Sequence, residues 1–87
     1  MNDEAILEIN TIFRFQWEEA QNSYVLLYPE GMVKLSQSAG EIMKRIDGET
    51  SVGQIVTNLE TTFAGADLRE DVMSFIKQAT ENGWLST

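Results

Sequence analysis

Phe13-Arg14-Phe15-Gln16-Trp17, then Ser23-Tyr24-Val25-Leu26-Leu27-Tyr28, then Met32-Val33-Lys34-Leu35 beyond Pro29-Glu30-Gly31, are three runs of strand length separated only by short links. In the first, aromatic and polar residues alternate with a period of two, which puts Phe13, Phe15 and Trp17 on one face of a strand. The second run is apolar, aromatic and β-branched, a composition that suits a buried strand. Between the second and third, Tyr28-Pro29-Glu30-Gly31 has the chemistry of a tight hairpin. Proline presets φ at the first turn position, and Gly31 is expected to take the left-handed conformation that follows a type I turn. Three consecutive strands joined by short links make an antiparallel meander.

Downstream of Leu35 the period changes to that of a helix. Ser38 with Glu41 reads as a capping box, and Ala39, Ile42, Met43 and Ile46 form one stripe, so a first helix is expected from about Ala39 to Asp47, stopped by Gly48. Ser51 with Gln54 repeats the cap ahead of Val52, Ile55, Val56, Leu59 and Phe63. Ala64-Gly65-Ala66 is a connector. Asp67 with Glu70 gives a third capping signal, followed by the stripe Leu68, Val72, Phe75, Ile76 and Ala79 and a stop at Asn82-Gly83. Trp84 and Leu85 are expected to fold back onto the core, because large apolar side chains after a helix stop would otherwise sit in water. Residues 1–11 mix turn and charge signals with Ile6, Leu7 and Ile9, and read as a poorly ordered arm or a docking segment. The expected architecture is α+β and winged-helix-like: a three-stranded antiparallel sheet followed by three helices, in a single domain over residues 12–87.

Composition narrows the function classes. With 87 residues and 43% hydrophobic content the chain can close one thin core. It has no cysteine, hence no disulfide, thiolate metal site or thiol nucleophile, and no histidine, which removes the commonest general base and metal ligand near neutral pH. The adjacent acids Glu18-Glu19 lie in a loop and do not converge on a point. Glu70 and Asp71 open a helix, where they face the positive end of its dipole. No catalytic or metal-ligating set stands out, and no enzymatic activity, cofactor or metal is expected.

A net charge of −8, with Arg14, Lys34, Lys44, Arg45, Arg69 and Lys77 scattered, argues against a nucleic-acid surface. No apolar run approaches the ~18 residues that span a bilayer, and the acidic start lacks the charge of a secretory signal, so a cytoplasmic protein is expected. Acyl carrier proteins, also small and acidic, carry a serine directly after an aspartate at a helix start; here Asp67 is followed by Leu68. The aromatic alternation Phe13, Phe15, Trp17 lacks the clustered basic residues that would make it a base-stacking platform, and reads as core.

The string Leu27-Tyr28-Pro29-Glu30-Gly31-Met32-Val33-Lys34-Leu35, with Ser38-Ala39, Ile42, Asp47-Gly48, Ser51-Val52 and Ile55, resembles the PqqD family of pyrroloquinoline quinone biosynthesis. Phe15-Gln16-Trp17-Glu18 and Gly83-Trp84-Leu85 extend the likeness over residues ~13–85. The resemblance implies a peptide chaperone of the RiPP recognition element type, which binds the ribosomal precursor peptide PqqA and presents it to the radical-SAM enzyme PqqE. It further implies that the peptide is added as a strand beside the third strand, Met32, Val33, Lys34 and Leu35, with side chains entering a groove formed with the third helix. Val72, Phe75, Ile76 and Ala79 are the helix residues expected to supply that groove. Independently, the third strand of a meander is an edge with unpaired backbone groups. Two other classes fit the topology, a winged-helix transcription regulator and a subunit that docks through its edge strand. A free edge also leaves monomer and homodimer open.

Overall fold

The computed structural model describes residues 2–87. The meander forms as the alternation implies: β2 (Arg14–Glu18), β3 (Ser23–Tyr28) and β4 (Gly31–Lys34) follow a two-residue strand β1 (Glu8–Ile9), and they pair antiparallel in the order β2-β3-β4. Registers run Phe15↔Leu26 and Trp17↔Tyr24 between β2 and β3, and Tyr28↔Gly31, Leu26↔Val33 and Val25↔Lys34 between β3 and β4. A single-turn 3₁₀ helix at Glu19–Gln21 carries the chain from β2 to β3. Only Pro29 and Glu30 lie between the paired Tyr28 and Gly31, so the hairpin loop has two residues. Gly31 therefore stands within the ladder and does not take the expected left-handed conformation; positive φ is found at Gly48, Gly65 and Gly83 instead.

Three helices follow, α1 (Gln37–Lys44), α2 (Val52–Thr62) and α3 (Arg69–Glu81), and a short β5 (Leu85–Ser86) closes the described chain. This is the α+β order expected, three strands then three helices, with a second sheet of β1 and β5 added. Caps account for the shifted helix ends. Ser36, not Ser38, caps α1, its Oγ accepting from the Ala39 N–H at 3.1 Å, so the helix begins two residues before the expected start. It ends at Lys44, with Arg45 as its C-terminal cap, and beyond it the Asp47 carboxylate accepts from the Glu49 and Thr50 N–H groups at 2.9 and 2.8 Å and draws the chain into a turn. Ser51 and Gln54 form the reciprocal capping box at α2 as expected. At α3 the cap residue is Leu68, without a side-chain cap; its N–H is satisfied by Glu60 Oε2 of α2 at 2.9 Å, so tertiary contact replaces the Asp67–Glu70 signal.

The helix-facing side of the sheet carries Phe15, Tyr24, Leu26, Val33 and Leu35 into one core with Ile42, Met43, Ile55, Leu59, Val72 and Ile76. Phe15 stacks on Tyr24 at 4.7 Å between ring centroids and, with Phe13, packs against the core as expected, whereas Trp17 meets Tyr24 only edge-on at 5.1 Å and stays 46% exposed at the end of β2, outside the core. α1 crosses β3 at Gly40, where a Cβ would lie 3.0 Å from the Tyr24 ring, so any larger residue would require that ring to give way by a few tenths of an ångström. Residues 2–11 join this fold instead of fraying. Leu7 is fully buried in the core, and the Val52 and Gly53 N–H groups donate to the Ala5 and Asp3 carbonyls. The Asp3 carboxylate pairs with Arg69 at the start of α3. β1 pairs with β5, which holds Leu85 in the core and Trp84 against it. The alternating Leu7 and Ile9 supply the apolar side chains that pin the arm down.

Candidate functional site

β4 is an edge strand, and its ladder assigns every backbone group. The Leu35 N–H donates to the Tyr24 carbonyl at 3.0 Å, and in an antiparallel pair hydrogen-bonded positions alternate. Gly31, Val33 and Leu35 therefore turn their N–H and C=O groups toward β3, while Met32 and Lys34 turn theirs outward. Side chains alternate as well. Leu35 is buried and Val33 half-buried on the helix side, whereas Met32, 42% exposed, and Lys34 lie on the opposite, outer face of the sheet.

That outer face also carries Arg14, Gln16, Val25 and Leu27, in the rows Arg14–Leu27–Met32 and Gln16–Val25–Lys34. Among the described residues the ion pairs are Glu41 with Lys44 and Arg45, and Asp3 with Arg69. Arg14, Lys34 and Lys77 are thus the three basic side chains without a carboxylate partner among the described residues, and two of them lie on the outer sheet face.

On the helix side, the end of β4 opens onto a depression of about 860 Å³. It is lined by Ser36 and Ser38 at the start of α1, Ile42, Leu59, Phe63, the α3 cap residue Leu68 and Val72 of α3, with the acids Glu41 and Asp71 also in its lining. Phe75 stands four residues beyond Asp71 and three beyond Val72, so helical spacing puts it on this same side of α3. It is half-buried and packs against the core. Ile76 and Ala79 have no exposed surface. They can shape a groove only from beneath, by holding α3 against the sheet.

Of the eight residues singled out in the sequence, the structure thus places Met32 and Lys34 with outward backbone, Val33 and Leu35 with inward side chains, Val72 on the depression, Phe75 beside it, and Ile76 and Ala79 inside the core. Sequence reasoning missed Ile42, Leu59, Phe63 and Leu68 as lining residues because each sits on a core stripe. Phe63 had a visible signal: it ends its stripe before Ala64-Gly65-Ala66, which has nothing large enough to cover it, and it is 46% exposed. Among the described residues no three acidic side chains converge as metal ligands, and no helix is long and apolar enough to cross a membrane.

Known proteins give this geometry a context. The chain is 49% identical over 77 residues to a PqqA binding protein of Acinetobacter baylyi, covering 87% of this chain and 78% of that one. It is 48% identical over 86 residues to a PqqA binding protein of Azotobacter vinelandii, covering 98% and 91%. In fold it matches the solution structure of the PqqD part of Methylobacterium extorquens PqqCD, a stand-alone RiPP recognition element, with a TM-score of 0.76 over the whole of both chains at 23% identity. The family model for coenzyme PQQ synthesis protein D matches residues 23–85, the span from the start of β3 to β5 that contains the free edge, all three helices and the depression. A match over most of the chain, together with relatives near half identity, makes this protein a member of the PqqD family.

Proposed function

We propose that this protein binds the precursor peptide PqqA as an added strand along β4 and presents it to the radical-SAM enzyme PqqE, in the cytoplasm and without catalysing a reaction itself. The observation that carries the proposal is the edge of β4. Met32 and Lys34 offer two N–H and two C=O groups to a fourth strand, and the apolar depression that begins where β4 ends can take side chains from one face of that strand. Main-chain bonding supplies affinity without demanding a sequence, and the depression supplies selection. Relatives at 49% and 48% identity named as PqqA binding proteins support the choice of peptide. A transcription regulator is the weaker reading, because the free cations Arg14 and Lys34 stand on the sheet, with no cluster on any helix that could enter a groove of DNA.

Calorimetric titration with synthetic PqqA tests the first half: one peptide per protein is expected, and no heat of binding at micromolar concentrations contradicts it. Repeating the titration with PqqE tests the second. Tighter binding of PqqE to the peptide complex than to free PqqA is expected, and equal binding of PqqA by PqqE with and without this protein would refute presentation.

A further inference from the structure

The outer face of the sheet bears on which peptide can dock. A strand added beside β4 has its side chains alternating between the two faces of the sheet, like those of β4 itself. In either direction, the peptide residue beside Val33 turns toward the helices. Its two neighbours, beside Lys34 and beside Met32, turn to the outer face, where directly opposed side chains have Cβ atoms roughly 4.5–5.5 Å apart. Lys34 is exposed and without an ion pair among the described residues. In a chain of net charge −8, a peptide carboxylate is repelled from most of the surface, and Lys34 is the one cation on the docking edge. Arg14 lies two strands away on β2, and Lys77 is on α3.

We infer that Lys34 sets the register of the bound peptide by pairing across the strands with one of its carboxylates, with an apolar residue two positions away beside Met32. The peptide class selected is therefore acidic residue, groove-facing residue, apolar residue, in consecutive order along one strand. Met32, 42% exposed in a row with the half-buried Leu27, gives the apolar member its contact. The helix-side depression has no Lys or Arg in its lining and carries Asp71, which makes no ion pair among the described residues, so it disfavours a carboxylate on that face, and the two faces of the sheet sort the same peptide by charge. The inference rests on strand addition at β4, and deepens it from backbone capture to sequence selection.

Charge exchange tests it. PqqA would be made with each Asp or Glu changed singly to Lys, and each peptide titrated against the parent protein, Lys34→Glu and Lys77→Glu, with circular dichroism confirming the fold of both variants. Lys34→Glu is expected to weaken unmodified PqqA about fivefold or more, since an opposed pair becomes a like-charge pair. Lys77→Glu, with the same change of net charge, should weaken it by less. One peptide variant should lose about fivefold against the parent and recover against Lys34→Glu alone. If Lys34→Glu binds PqqA as tightly as the parent, or no peptide variant recovers, the pairing is refuted while peptide binding stands. If unmodified PqqA fails to bind the parent at all, the peptide-binding reading falls and takes the pairing with it.

Discussion

Phe75 and Ile76 are adjacent on α3 and sit in different environments, half-buried on the flank that faces the depression and fully buried against the core. Replacing Ile76 by alanine leaves a cavity in close-packed surroundings, and should cost about 2–5 kcal/mol in a denaturant melt. Phe75→Ala is expected to reduce stability by less and to weaken PqqA binding more than Lys77→Ala, because an aromatic beside a desolvated groove acts as an anchor and an exposed lysine contributes little. Equal binding losses for Phe75→Ala and Lys77→Ala would remove Phe75 from the site. Leu7→Ala should also cost about 2–5 kcal/mol, the penalty of a core residue, and a change within ~0.5 kcal/mol would return the N-terminal segment to the status of a frayed arm.

At the level of elements, β4 carries the sharpest contrast. Proline at position 34 deletes an outward N–H and leaves the β3–β4 ladder whole, so Lys34→Pro should fold and lose peptide binding. Val33→Pro deletes a donor that faces β3 and should disrupt the hairpin, visible as a lowered melting temperature. The helix starts make a second comparison. Ser36→Ala and Ser51→Ala each remove a side-chain cap and should cost about 1 kcal/mol, whereas Ser38→Ala, at the serine that the sequence pattern reads as the cap but that lies inside the first turn of α1, should change little. The strands and the α2 capping box were legible because their signals are local. Period-two aromatics, a Pro-Glu turn and a reciprocal Ser51–Gln54 pair leave few alternatives. The starts of α1 and α3 were not, since two serines compete within three residues at one and a carboxylate from α2 satisfies the other. β1 and β5 escaped notice because two-residue strands have no periodicity and exist only through each other.

Taken whole, the molecule ties its N-terminal segment across α2 to the start of α3, and the tie is partly electrostatic. The hydrogen-bonded Arg69 guanidinium holds the Asp3 carboxyl below its ordinary value, and the pair is about half exposed. A depressed carboxyl pKa stabilises the fold at pH above the ordinary aspartate value, and that contribution fades as pH falls through the depressed one. Arg69→Gln should therefore raise the Asp3 midpoint in an NMR titration of its carboxyl, and an unmoved midpoint would contradict the pairing. None of this long-range organisation could be read from residues 2–11 alone. Its partners, Val52, Gly53, Arg69 and Leu85, are 47 or more residues away in sequence from the residues they hold. The free edge of β4, by contrast, followed from strand order, and only the register that separates Met32 and Lys34 from Val33 emerged from the fold itself.

That register is also where strand addition is most exposed to test. Amide hydrogen exchange of the protein, measured residue by residue with and without saturating PqqA, reads the outward backbone groups directly. Strand addition predicts that the Met32 and Lys34 amides, open to water in the free protein, become protected when PqqA is bound, while the Val33 and Leu35 amides, already bonded to β3, change far less. Unaltered exchange at both Met32 and Lys34 with PqqA demonstrably bound would contradict it, and would move the peptide off the sheet edge onto the helices.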